Sequence, residues 1–224
     1  GANCYEKEKG LFGASASLLL ASDEKLIKID SELKAKGTLF ALAATARHAL
    51  AGLGNKLPSL IVGHGVLGRL LARLTIAAGG EPPTVWESNP LRVGHQTDYK
   101  VIDPLKDSSS DHESIYEASG DISVLDKIIP KLKKNGEIVL AGFYSSPISF
   151  AFPPAFMREA RFRISAEFNT EDINITRSLL ETGALSLEGL ISHEKNVNFS
   201  KAAYKQSFED PECLKMVIDW REVA

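Results

Sequence analysis

Ile61-Val62-Gly63-His64-Gly65-Val66-Leu67-Gly68 places three glycines at the spacing G-x-G-x-x-G, directly after a short apolar run and before a helical pattern. In a loop that holds a pyrophosphate, each glycine has its own task. Gly63 permits the tight turn, Gly65 lets a phosphate approach the backbone, and Gly68 lets the following helix pack against the strand. A helix starting at Val66 would aim free N–H groups and the positive end of its dipole at the phosphates. Gly63, His64, Gly65, Val66, Leu67 and Gly68 are therefore the expected phosphate-binding residues, His64 by its place in the loop and not as a catalyst. Nineteen residues after Gly68 stands Glu87, at the end of the next apolar segment. A carboxylate there accepts from the adenosine ribose hydroxyls and repels a 2′-phosphate, which points to NAD over NADP. Arg92, five residues further, is the residue that would accommodate a phosphate instead. The bland alternative is a plain strand–helix turn with Glu87 as a solvated strand end, and the register of strand, loop, helix, strand and acid argues against it.

These residues need a scaffold, and the surrounding pattern supplies one. Helices are expected over Thr38–Leu53, Val66–Ala78, Asp121–Lys133 and Glu171–Glu181, and strands over Ser59–Val62, Thr84–Trp86, Tyr99–Ile102, Ser114–Ala118, Glu137–Phe143 and Phe162–Glu167. Short apolar strands alternating with helices predict an α/β fold, a Rossmann-type doubly wound parallel sheet over residues 38–183. Residues 1–37 read as an irregular lead with β segments at Ser17–Leu20 and Lys25–Ile29. Residues 184–224 read as a strand at Leu187–Ser192, a helix capped by Ser200 and a strand at Leu214–Ile218. In an open parallel sheet the carboxyl ends of the strands form the ligand crevice. That makes Ser119, Gly120, Gly142, Phe143 and Tyr144 expected cofactor contacts.

Composition narrows the class. The chain has 224 residues, 44% hydrophobic and 25% charged, with a formal net charge of −3, which is ordinary globular composition. No basic stripe suggests nucleic acid, and no apolar run reaches the length of a membrane span. Cys4 and Cys213 lie at opposite ends, which favours a reducing compartment over a disulfide framework. A cytoplasmic protein is the expectation.

Further motifs carry a family resemblance. Ala43-Ala44-Thr45-Ala46-Arg47-His48-Ala49, Tyr116-Glu117-Ala118-Ser119-Gly120 and Gly136-Glu137-Ile138-Val139-Leu140-Ala141-Gly142-Phe143 resemble the helix and strands of the medium-chain dehydrogenase/reductase superfamily. Pro82–Pro90, Phe152–Glu159, Leu185–His193 and Asp210–Met216 are similar to its branch that acts on bacteriochlorophyll precursors. The resemblance implies NAD-dependent oxidation of the ring-A hydroxyethyl group of a bacteriochlorophyllide-type chlorin to acetyl. It also implies that residues 1–37 are the tail of a β-rich catalytic domain that is mostly missing, and that 184–224 return to pack on it. A chain so truncated is expected to bind NAD and to lack full activity. The implied partners are the chlorin substrate and, as a candidate homodimer, a second copy, with the pigment a route to the periphery of photosynthetic membranes.

Candidate chemistry outside the loop stays open between two readings at each position. By resemblance Thr45 contacts the nicotinamide end; otherwise it is a helix threonine in an alanine-rich interface. His48, one turn on, is a candidate base or a packing residue. Phe156 and Arg158 offer an aromatic-plus-cation surface suited to a flat apolar macrocycle with a carboxylate, or simply a solvated helix. Zinc-using relatives place a ligand at the position of Ala41, whose methyl group cannot coordinate, and no C-x-x-C or H-x-x-x-H pair occurs, so no bound metal is expected. Two rivals accompany the dehydrogenase reading: a zinc-free NADPH-dependent enone or quinone reductase, which Glu87 disfavours, and a non-catalytic dinucleotide-binding module.

Overall fold

The computed structural model describes residues 4–5, 8–9, 23, 26–52, 54, 56–93 and 97–221. They divide into two units, one of residues 36–190 and one combining residues 1–35 with 191–224. The larger unit holds a six-stranded sheet of β3 (Leu60–Val62), β4 (Thr84–Trp86), β5 (Lys100–Ile102), β6 (His112–Glu117), β7 (Leu132–Leu140) and β8 (Arg161–Ile164). Their order is β5-β4-β3-β6-β7-β8, and every pairing is parallel. The chain thus winds outward from β3 in one direction and then returns to build the other half from β6. The β3/β6 boundary is the switch point of a doubly wound α/β fold.

Alternation along the strands separates the two faces. Leu60, Val62, Ile115, Ile138 and Leu140 share one core cluster with Trp86, Leu125, Ile128, Ile129 and Ala155. Helices α4 (Leu125–Ile128) and α5 (Phe152–Arg158) supply Leu125, Ile128 and Ala155. On the other side α1 (Phe40–Leu50) packs against both α2 (Val66–Ala77) and α6 (Thr170–Glu181). The alanines of α1 make that packing close, since Ala43, Ala44, Ala46 and Ala49 are all buried. A short α3 (Pro90–Val93) follows β4.

Several expected elements differ in form. The helix expected over Asp121–Lys133 is broken into a 3-10 turn at Ile122–Val124, α4, and a second 3-10 turn at Ile129–Lys131. Pro130 explains the break, because it has no N–H to donate and clashes with the preceding turn. The first helix begins at Phe40, after a 3-10 segment Ser31–Leu39 that is kinked at Lys34, where φ is 47°. No strand forms over Leu187–Ser192. Instead Gly189, at φ 69°, closes a turn in which Leu190 N–H donates to the Leu187 carbonyl.

In the smaller unit β1 (Cys4–Tyr5) and β2 (Glu8–Lys9) form an antiparallel pair, while β9 (His193–Asn196) and β10 (Met216–Asp219) pair in parallel, connected by α7 (Ser200–Glu209). Phe199, not Ser200, is the N-cap of α7. Residues 26–29 have no regular structure, and the expected β segment Ser17–Leu20 lies outside the described residues.

Candidate cofactor site

The glycine loop joins β3 to α2 at the switch point. Gly63 adopts φ 99°, and a Cβ there would meet the Ser119 backbone at 3.1 Å. A Cβ on Gly68 would stand 1.9 Å from the Gly63 carbonyl oxygen, so the helix can seat only because that side chain is missing. Gly65 is different. Its φ of −71° suits any residue and nothing lies within 4 Å of the place a Cβ would take. The position is open on the side a ligand would approach. Gly65 is also the N-cap of α2 and makes no side-chain cap bond, which leaves the N–H groups of Val66 and Leu67 at an uncapped helix start. The loop therefore fits a pyrophosphate.

Glu87 is buried just beyond β4, and its carboxylate faces the loop. One oxygen accepts from the His64 N–H at 3.2 Å and the other from the Asn89 N–H at 2.8 Å. Each oxygen retains a second lone pair, which is what a ribose hydroxyl would use. The His64 ring turns away from the loop's open side into the protein. It is fully buried, with Nδ1 2.9 Å from the Arg92 carbonyl and Nε2 3.0 Å from the Tyr99 hydroxyl. A carbonyl can only accept, so Nδ1 carries the proton, and in the neutral ring Nε2 accepts from Tyr99. His64 thus ties the loop to the segment after β4, and only its backbone faces the cofactor position. Below it, Arg69 Nε donates to the His64 carbonyl at 3.0 Å, and burial lowers the pKa of that guanidinium.

Across the switch point, the ends of β6 and β7 interlock. A Cβ on Gly120 (φ 74°) would meet the Phe143 carbonyl oxygen at 2.9 Å, and one on Gly142 would meet the Gly120 nitrogen at 2.8 Å. Between them lies Glu117, fully buried. Its carboxylate accepts from the Ser119 N–H at 2.7 Å, the Gly120 N–H at 3.2 Å, and the Ser119 and Tyr144 hydroxyls. The Tyr144 phenol is raised well above its ordinary pKa, first by burial and then by the Glu117 carboxylate. A phenol so held is a fixed donor to Glu117. Phe143 is 91% exposed at the crevice rim. Glu117 is absent from the expected site residues; it closes β6 directly after Ile115 and Tyr116, and its burial shows only in the folded chain, where a buried charge requires partners.

Other expected residues are placed elsewhere. Thr45 donates its hydroxyl to the Ala41 carbonyl at 3.0 Å, within its own helix. His48 Nδ1 lies 2.7 Å from Asp172 Oδ2, and Arg47 Nη1 donates to Asp172 Oδ1 at 2.8 Å, which joins α1 to the first turn of α6. The Arg158 guanidinium bonds the Leu132 carbonyl, at the amino end of β7. Leu132 pairs with His112, the first residue of β6, and Leu140 with Glu117, its last, so the Leu132 carbonyl stands at the end of these strands opposite their carboxyl ends. Phe156 lines an apolar cleft of about 600 Å³ with Phe150, Phe152, Met157 and Phe162, also beside α5 and not at the crevice. Among the described residues, no three His, Cys, Asp or Glu side chains gather as a metal site.

No protein-family model matches the chain. The 2-desacetyl-2-hydroxyethyl bacteriochlorophyllide A dehydrogenase of Cereibacter sphaeroides is 55% identical over 229 residues, spanning 100% of this chain and 72% of that protein. The protein of the same name from Rhodobacter capsulatus is 52% identical over 223 residues, spanning 99% and 71%. The chain belongs to this dehydrogenase family.

Solved structures agree on the fold of these dehydrogenases. A short chain alcohol dehydrogenase of Escherichia coli CFT073, complexed with cofactor NADH, superposes with a TM-score of 0.70 at 18% identity, covering 86% of this chain and 61% of its own. A putative zinc-binding dehydrogenase of Sinorhizobium meliloti 1021, bound to NADP, gives 0.66 at 17% identity, covering 81% and 58%. The chain therefore spans less than two thirds of those structures. Among the described residues, no helix is long and apolar enough to cross a membrane.

Proposed function

We propose that this chain carries the nicotinamide-cofactor domain of an enzyme that oxidises the hydroxyethyl substituent of a bacteriochlorophyllide-type chlorin to an acetyl group, with NAD as oxidant. The observation that carries the substrate is the 55% identity along the whole chain to a relative named for that reaction. The cofactor class rests on the open Gly65 position at an uncapped helix start, and on solved neighbours that hold NADH or NADP.

When bound, the nicotinamide accepts a hydride from the alcohol carbon, leaving a carbonyl and a proton for release. The chain's own share is to bind and orient. The loop backbone from Gly63 to Gly68 receives the pyrophosphate, and Glu87 receives the adenosine ribose and repels a 2′-phosphate, which supports NAD over NADP. Ser119, Gly120, Gly142, Phe143 and Tyr144 line the other half of the crevice. A metal role has no support from the residues present, because Ala41 offers only a methyl group at the position where zinc-using relatives place a ligand. The test is turnover: the chain and its full-length form are given NAD and a hydroxyethyl chlorin, and NADH and the acetyl product are followed together. NADH formed only with the hydroxyethyl pigment supports the reading, whereas reduction of enones with NADPH in its place would overturn it.

A further inference from the structure

Glu117 is a carboxylate with no surface exposure and four donors, and none of those donors is a cation. Two donors, the Ser119 and Gly120 N–H groups, belong to the loop leaving β6. A third, the Tyr144 hydroxyl, belongs to the loop leaving β7. One side chain therefore fastens together the two loops that form the crevice on the β6/β7 side of the switch point. The approach is so close that Gly142 has no room for a side chain: a Cβ there would stand 3.0 Å from Glu117 Oε2. The phosphate loop and Glu87 lie on the other side, on β3 and β4. A dinucleotide lying across the switch point has its adenosine half served by β3 and β4 and its nicotinamide half served by β6 and β7.

We infer that Glu117 is a positioning residue for the nicotinamide half of the cofactor, holding the Ser119–Gly120 and Gly142–Tyr144 loops in the one arrangement that seats it. This rests on the proposed reading of the crevice as a nicotinamide-cofactor site. A carboxylate suits the task because it only accepts. Replacing it with an amide offers one acceptor oxygen and an NH2 group, and the NH2 must then face one of the donors. At least one buried N–H is left unsatisfied, and the loops separate.

The experiment compares Glu117→Gln, Tyr144→Phe and the double variant with the wild-type chain, measuring binding of NADH and of ADP-ribose by calorimetry. ADP-ribose keeps the adenosine and pyrophosphate but lacks the nicotinamide. Glu117→Gln is expected to weaken NADH binding about tenfold, the scale of a lost hydrogen bond to a charged group, while ADP-ribose affinity stays within about twofold. The fluorescence enhancement of bound NADH should fall with it. Tyr144→Phe, which keeps the carboxylate and removes one donor, should show the same selective loss at about threefold, and the double variant should lose no more than Glu117→Gln alone. If Glu117→Gln does not fold, Tyr144→Phe decides by the same ratio. Equal weakening of both ligands, or unchanged NADH binding, would overturn the inference while leaving the cofactor reading standing. A wild-type chain that binds ADP-ribose but not NADH would overturn the cofactor reading, and the inference with it.

Discussion

Among the three glycines of the loop, Gly65 is the one at which the proposed cofactor binding can be tested apart from folding. Its backbone is unstrained and the space beyond it is open, so a valine there disturbs nothing in the cofactor-free protein. It would, however, put a branched side chain where a phosphate must touch the backbone. Gly65→Val is expected to abolish NADH binding while the cofactor-free unfolding midpoint moves by no more than about 2 °C; calorimetric titration and a thermal melt check the two halves. Glu87 does not separate so cleanly. Its carboxylate has protein donors at both oxygens besides any ribose. Glu87→Ser should therefore narrow the proposed preference for NAD over NADP and also cost about 1–2 kcal/mol of stability, because the His64 and Asn89 N–H groups lose their acceptor. Parallel titrations with both cofactors and a denaturation curve would show it, and a narrowed preference without destabilisation would mean that the loop bonds are dispensable.

At the scale of elements, α1 and α6 are joined through one buried carboxylate. Asp172 closes the capping box of α6 with Asn169 and also takes Arg47 and His48 from α1. Breaking a buried ion pair leaves an uncompensated charge, so Asp172→Asn is expected to destabilise the protein by about 3 kcal/mol, read as a lower denaturant midpoint with little change in slope. The same contacts explain what was legible beforehand. The six strands and the phosphate loop show in the sequence because their signals are local: apolar runs, glycine spacing, and an acid at a fixed offset. Glu117, Asp172 and the buried face of His64 do not, because their partners lie on other elements and only the folded chain brings them together. Arg158 is open between two readings in the sequence. Its residue type suited a substrate carboxylate, but α5 carries it down to the amino end of β7. Arg158→Leu should accordingly leave the KM for the proposed chlorin substrate unchanged within about twofold, while lowering the melting temperature.

At the scale of the molecule, the parts of the cofactor site and the core that supports it lie in one stretch of chain. All six strands of the parallel sheet, both of its edges and the core cluster from Leu60 to Ala155 fall within residues 36–190. The outlying turn after α6 belongs there as well, because Arg73 on α2 donates to the carbonyls of Ser186 and Glu188 at 2.6 and 2.8 Å. A unit of this size buries enough surface to fold alone. The described residues assigned to the phosphate loop and the β6/β7 crevice lie within residues 36–190. The fragment 36–190 is therefore expected to unfold in one cooperative transition and to bind NADH within about threefold of the longer chain, a difference below 1 kcal/mol. It should not turn over the chlorin, since its crevice holds cofactor contacts but none of the residues placed there is free to act as a base. The Tyr144 and Ser119 hydroxyls are both committed to Glu117. Circular dichroism melts and NADH titration of the fragment decide the matter. Cooperative folding with lost NADH affinity would overturn the expectation that residues 36–190 suffice to bind the cofactor.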